Sequence, residues 1–111
     1  MLIEKTIRDY LHDKIQNIPI EVEEPTDESK YIVFRVIDRG KEDLINAVTV
    51  EFFCYGKSKL EAAMLDEELR TAMENIVELD SIFSSKLGGG SDNYDEDLKI
   101  YRYRSYFNLS Y

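Results

Sequence analysis

The chain has 111 residues, enough for one hydrophobic core and too few for two. With 43% hydrophobic and 33% charged residues it has the composition of a soluble globular domain, and no apolar run approaches the roughly 20 residues of a membrane helix. A net charge of −9 argues against general nucleic-acid affinity, which needs basic surface; its plainest consequence is solubility, and it would also keep DNA from sticking.

Residues Leu2–Lys14 read as the first helix. Ile3, Ile7 and Leu11, joined by Tyr10 and Ile15, make one apolar stripe, while Glu4, Lys5, Arg8, Asp9 and Asp13 take the other face. His12 falls among the polar positions. Acids as early as Glu4 argue against a signal peptide. Asn17 and Pro19 end the helix, because proline cannot continue it. Pro19–Glu23 then alternates apolar and acidic residues, as a short edge strand does, and Glu24–Lys30 is an acidic loop.

Tyr31–Asp38 is the next strand, with Ile32, Phe34 and Val36 on one face and Tyr31, Val33, Arg35 and Ile37 on the other. Arg39–Asp43 reads as a turn of about five residues, returning the chain through Leu44–Tyr55 as an antiparallel hairpin. Asn46–Glu78 is the best-formed local unit, a strand turning directly into a helix. Gly56 breaks the strand. Ser58 and Glu61 have capping-box spacing, with the Ser58 hydroxyl expected to accept a first-turn N–H and Glu61 to reach back to the N–H of Ser58. The helix is expected from Ser58 to about Glu78, burying Ala62, Leu65, Leu69, Ala72, Met73 and Ile76. Its wet side is Glu61, Glu67, Glu68, Arg70, Glu74 and Asn75.

Ile82–Leu87 reads as a weaker strand near a sheet edge. Gly88, Gly89, Gly90, Ser91, Asp92 and Asn93, followed by Tyr94, Asp95, Glu96 and Asp97, read as a flexible loop over residues 88–97. Leu98–Leu109 closes the chain as the longest strand, with Tyr101, Tyr103, Phe107 and Leu109 opposite Ile100, Arg102, Arg104 and Tyr106. No internal repeat or domain boundary appears, so residues 1–111 form one domain. The expected fold class is α+β: a two-layer sandwich of a mainly antiparallel four- to five-stranded sheet with two helices on one face, ordered α-β-β-β-α-β-β.

Two helices cover one face of such a sheet, and a one-sided sheet should be polar on the other. Here the strands carry large apolar or arginine residues on both sides. Burial of the second face against another copy or another protein is therefore expected, through the interface candidates Val33, Arg35, Ile37, Thr49, Glu51, Phe53, Tyr55, Arg102, Arg104 and Tyr106. Loops folding over this face, or apolar residues exposed singly, are the bland alternative.

Catalytic, cofactor and metal sites are not expected. The lone Cys54 cannot form an internal disulfide and reads as a small core residue in a reducing compartment. With one Cys, one His, no HExxH and no CxxC there is no metal motif. The triglycine lacks the GK[ST] of a phosphate loop, and the acids of residues 92–97 lack the order of an EF-hand. Ser84 and Ser85 have no positioned base.

The ordered set LIEKTIRDYL, IPIEVEEP, VTVEFFCYGKSKLEAAMLDEELRTAM and YRYRSYFNLSY resembles, over the whole chain, the small tail-terminator (tail-completion, minor capsid) proteins of siphophages and related prophages. The resemblance implies a fold similar to the lambda-type tail terminator, assembled as a ring, usually a hexamer. Such a ring caps the finished tail tube, stops its polymerisation and docks to the neck proteins, while DNA passes through the lumen without specific contact. The implied partners are therefore other copies of the chain, the major tail protein and a neck or connector protein, with no membrane and no cofactor. The implied location is the virion tail or neck, after assembly in the bacterial cytoplasm. In that setting residues Gly88–Asp95 become a candidate docking loop. A head-closure or neck protein of the same joint, and an acidic adaptor that forms no ring, are the competing readings.

Overall fold

The computed structural model describes residues 2–25 and 29–111. Part of the acidic loop read at Glu24–Lys30 therefore lies outside the described residues. Helix α1 (Ile3–Lys14) leads into strand β1 (Ile20–Glu21), β2 (Tyr31–Glu42), β3 (Ile45–Gly56), helix α2 (Lys59–Glu74), a 3₁₀ turn (Ile76–Glu78), β4 (Ser84–Asp92) and β5 (Tyr101–Ser110). The five strands form one sheet in the order β1-β2-β3-β5-β4. Only the β1–β2 pairing is parallel. The fold class and the element order are those expected from the sequence.

Alternation decides which side of the sheet the helices cover. Ile32, Phe34, Val50, Phe52, Cys54, Phe107 and Leu109 point into one core with Ile3, Ile7 and Leu11 of α1 and Leu65, Leu69 and Met73 of α2. Phe34, Phe52 and Phe107 are fully buried, with Phe52 tilted against Phe34 at 5.6 Å and edge-on to Phe107 at 6.1 Å. Burying one such side chain contributes about 1.5–3 kcal/mol. Hydrogen bonds tie the layers together. The Tyr10 hydroxyl donates to the Ala72 carbonyl at 2.7 Å, joining the helices, and the Ser85 hydroxyl donates to the Met73 carbonyl at 2.7 Å.

The strand-to-helix unit forms as its sequence dictates, with one change at the cap. The Ser58 hydroxyl accepts the Glu61 N–H at 3.1 Å, but the Glu61 carboxylate accepts the N–H of Lys57 at 3.0 Å rather than that of Ser58. Gly56 is needed for the tight entry, because a Cβ there would lie 2.5 Å from the Ala62 nitrogen. The helix ends at Glu74, short of the expected Glu78, and a 3₁₀ turn carries Ile76 into the core.

Three expectations about the strands are corrected. The β2–β3 hairpin has no five-residue turn at Arg39–Asp43; the ladder runs on to Glu42 opposite Ile45, and Asp43-Leu44 alone make the turn. Both have positive φ, 50° and 70°, as a two-residue turn matched to strand twist requires. The flexible loop expected over 88–97 is instead the end of one strand and a short connection: Gly88–Asp92 belong to β4, where Gly88 sits at a bulge and residues 89–92 pair with β5, and Asp95 bridges Ile100. Finally, β4 begins at Ser84 rather than Ile82, which is buried ahead of it.

Candidate functional site

The ten interface candidates lie where alternation predicts, with one exception. Cross-strand pairing sets Val33 opposite Phe53, Arg35 opposite Glu51, Phe53 opposite Arg104, Glu51 opposite Tyr106 and Tyr55 opposite Arg102. These residues share the side of the sheet that the helices leave open. Ile37 does not share their register. It falls at a bulge between Val36 and Asp38, so Asp38 pairs with Thr49 and Ile37 pairs with nothing.

At the centre of this face stands a charge that the sequence reading placed but did not explain. Glu51 is 1% exposed although it faces away from the core. Arg35 on β2 donates from Nε to one of its oxygens at 2.7 Å, and Arg104 on β5 donates from Nε to the other at 2.5 Å. The Arg104 guanidinium also lies 4.2 Å from the centre of the Tyr106 ring. Burial opposes ionisation of Glu51, but the hydrogen bonds and charges of the two arginines outweigh it and hold the carboxyl below its usual range. The arginines themselves stay wet, with 67% of the Arg35 side chain and 37% of the Arg104 side chain exposed.

Toward the Gly56 end the face becomes aromatic. Tyr31 and Tyr55 stack at 4.3 Å, and the Arg102 guanidinium lies 5.8 Å from the Tyr55 ring centre. The Tyr55 hydroxyl donates to Glu24 at 3.0 Å; burial first, and then this carboxylate acceptor, push its pKa up to about 12. A shallow depression of about 330 Å³ lies here, among Val33, Arg35, Phe53, Tyr55 and Arg102. At the other end the Thr49 hydroxyl donates to Asn108 at 2.8 Å. The face is thus a patch of aromatic rings and arginines around the charge-paired Glu51, with Glu24 at its aromatic end, and among the described residues it holds no nucleophile beside a base.

Most of residues 88–95 pair with β5 or with the segment before it, and they lie along the sheet edge beside this face. Gly89 pairs with Tyr106, Ser91 with Arg104 and Asp92 with Tyr103. The Asn93 N–H donates to the Arg102 carbonyl at 2.9 Å, and Asp95 and Ile100 exchange backbone hydrogen bonds at 2.8 Å. Tyr94 sits edge-on to Tyr103 at 5.5 Å.

A second polar cluster escaped the sequence reading, which placed Arg70 on the wet side of α2. Asp66 is buried, accepts from the Ser105 hydroxyl at 2.6 Å and pairs with Arg70 Nε at 2.8 Å. Spacing of four residues on one helix was the available signal. Ser105 is fully buried, so no substrate reaches it, and the cluster ties α2 to β5. Burial likewise raises the Cys54 thiol well above its usual range, which leaves it protonated and inert.

Comparison with protein-family models and with curated proteins finds no match for this chain. Among the described residues no three His, Cys, Asp or Glu side chains converge as a metal site would require, and no helix is long and apolar enough to cross a membrane.

Proposed function

We propose that this is a structural protein of phage morphogenesis, a tail terminator that assembles into a ring, caps the tail tube, stops its polymerisation and joins the tail to the neck. The observation that carries the reading is the open side of the sheet. Val33, Phe53, Tyr55, Arg102, Arg104 and Tyr106 are only half-buried there, and aromatic and arginine residues are those enriched in interface cores. The ordered set of sequence features described above supplies the assignment to tail assembly. In a ring this face meets a neighbouring copy, and the remaining acidic surface lets DNA pass the lumen without binding.

Electron microscopy of the concentrated protein tests the reading. Rings with a central hole are expected, and a particle without a hole removes its main support. Deleting the gene should leave full heads and tails of irregular length that fail to join. Capture by the connector in place of the major tail protein would move the protein to the head side of the joint.

A further inference from the structure

The outer surface of the helical layer is more acidic than the open sheet face. A groove of about 580 Å³ runs between α1 and α2, lined by Tyr10, Ile15 and Ala72 and by the exposed Met64, Glu67 and Glu68. Lys14 is the one cation in its lining, and Glu78 already holds it at 2.8 Å. Glu67 and Glu68 make no ion pair among the described residues.

The open sheet face is less acidic. In a chain of net charge −9 it gathers Arg35, Arg102 and Arg104, of which Arg35 and Arg104 are held by Glu51, while Glu24 accepts from the Tyr55 hydroxyl and Asp38 lies at the far end opposite Thr49. Arg102 has no ion pair among the described residues, and its Nε is buried there without a hydrogen-bond partner. Of the three arginines it is the one that no carboxylate holds, which leaves its charge for an acidic partner.

We propose that the open sheet face of one copy docks into the α1–α2 groove of the next, with Arg102 and Arg35 meeting Glu67 and Glu68 and the aromatic residues covering Met64. The occupant is a second copy because its groove offers acidic charge and an apolar lining together. Elsewhere the acidic surfaces of two copies repel, so attraction concentrates on this pair of faces. The two surfaces differ and lie on opposite sides of the domain, which makes the contact heterologous, the type that closes into rings when each step adds a rotation. This contact rests on the self-assembly proposed above.

Sedimentation of paired charge variants tests it. Arg102→Glu breaks no internal ion pair, and Glu67→Lys with Glu68→Lys changes exposed helix positions, so circular dichroism should show both variants folded. Each alone should weaken self-association by roughly 100-fold or more, since like charges then face each other. An equimolar mixture should assemble again, because each variant's altered face now meets a complementary one. Either variant assembling as the wild type does, or a mixture that stays monomeric, overturns the contact while leaving the ring open to another interface. A wild-type protein that is monomeric at every concentration overturns both.

Discussion

Arg104 donates to Glu51 at 2.5 Å from the neighbouring strand, two residues along it from Tyr106, which lies directly opposite. Arg35 completes the clamp from the other side at 2.7 Å, so a carboxylate on the open face is as dry as the core. Its lowered pKa fixes the sign of a pH effect. The folded state binds the proton less readily than the unfolded chain, so the stabilisation is fully present above the ordinary value of 4.5 and is lost as pH falls through the folded-state value. Glu51→Gln should remove this acid-dependent part, so its urea midpoint falls less steeply than that of the wild type as pH drops below 4.5. Glu51→Ala should cost about 1–3 kcal/mol at neutral pH, with both arginines left partly solvated. Equal acid sensitivity of wild type and Glu51→Gln would show that the clamp carries none of it.

Gly90 and Gly40 make a contrasting pair. A Cβ at Gly90 would fall 2.6 Å from the Arg104 carbonyl oxygen and 2.6 Å from Arg70 Nη2, whereas one at Gly40 meets nothing within 4 Å. The first contact includes backbone and cannot relax by a rotamer change. Gly90→Ala should therefore destabilise by about 1–3 kcal/mol. Gly40→Ala should be neutral or stabilising by up to about 1 kcal/mol, because glycine is a poor strand residue. Chemical denaturation of the two variants side by side checks both, and equal midpoints would contradict the close approach at Gly90.

What could be read from the sequence follows from how local each signal is. The α2 stripe and the Ser58 cap are written within a few residues of each other, and both faces of β3 are fixed by strict alternation. The triglycine was misread because its strand state comes from β5, which follows it, and from Arg70 above it, not from its own propensity. Asp66 gave no burial signal because its acceptor role is completed by Ser105, 39 residues away. The register of Ile37 was lost for a similar reason, since a bulge is a property of two strands and leaves one residue of a good apolar alternation unpaired. At the open face, residue types and side were legible, but the clamping of Glu51 depends on Arg104 reaching diagonally across the ladder.

The turn Asp43-Leu44 works against its own residues. Both adopt the left-handed region, where Asn-Gly is preferred, and Leu44 is 86% exposed at the tip. A leucine there loses roughly 1 kcal/mol to the clash of its Cβ with the backbone. Replacing the pair by Asn-Gly should raise stability by about 1 kcal/mol, read as a higher thermal midpoint with an unchanged circular dichroism spectrum. A lower midpoint would mean that Leu44 makes a contact in solution that offsets its strained backbone.

Tyr55 carries the last prediction, at the alkaline end. Its hydroxyl donates to Glu24 at 3.0 Å, and its pKa rises from 10.0 to about 12. A raised value means that the folded chain keeps this proton when the unfolded chain has released it. The contribution is therefore whole below 10.0 and lost as pH climbs toward 12. Tyr55→Phe abolishes that dependence, so the wild-type advantage over the variant should shrink across this interval. Tyr10, Tyr31 and Tyr94 are also raised, so in tyrosinate absorbance the late part of the titration should lose one residue in Tyr55→Phe and keep the others. Glu24→Gln should bring the same step to lower pH, because it removes the negative charge that disfavours the phenolate while leaving an acceptor in place. A Glu24→Gln titration that matches the wild type would assign the shift to burial alone.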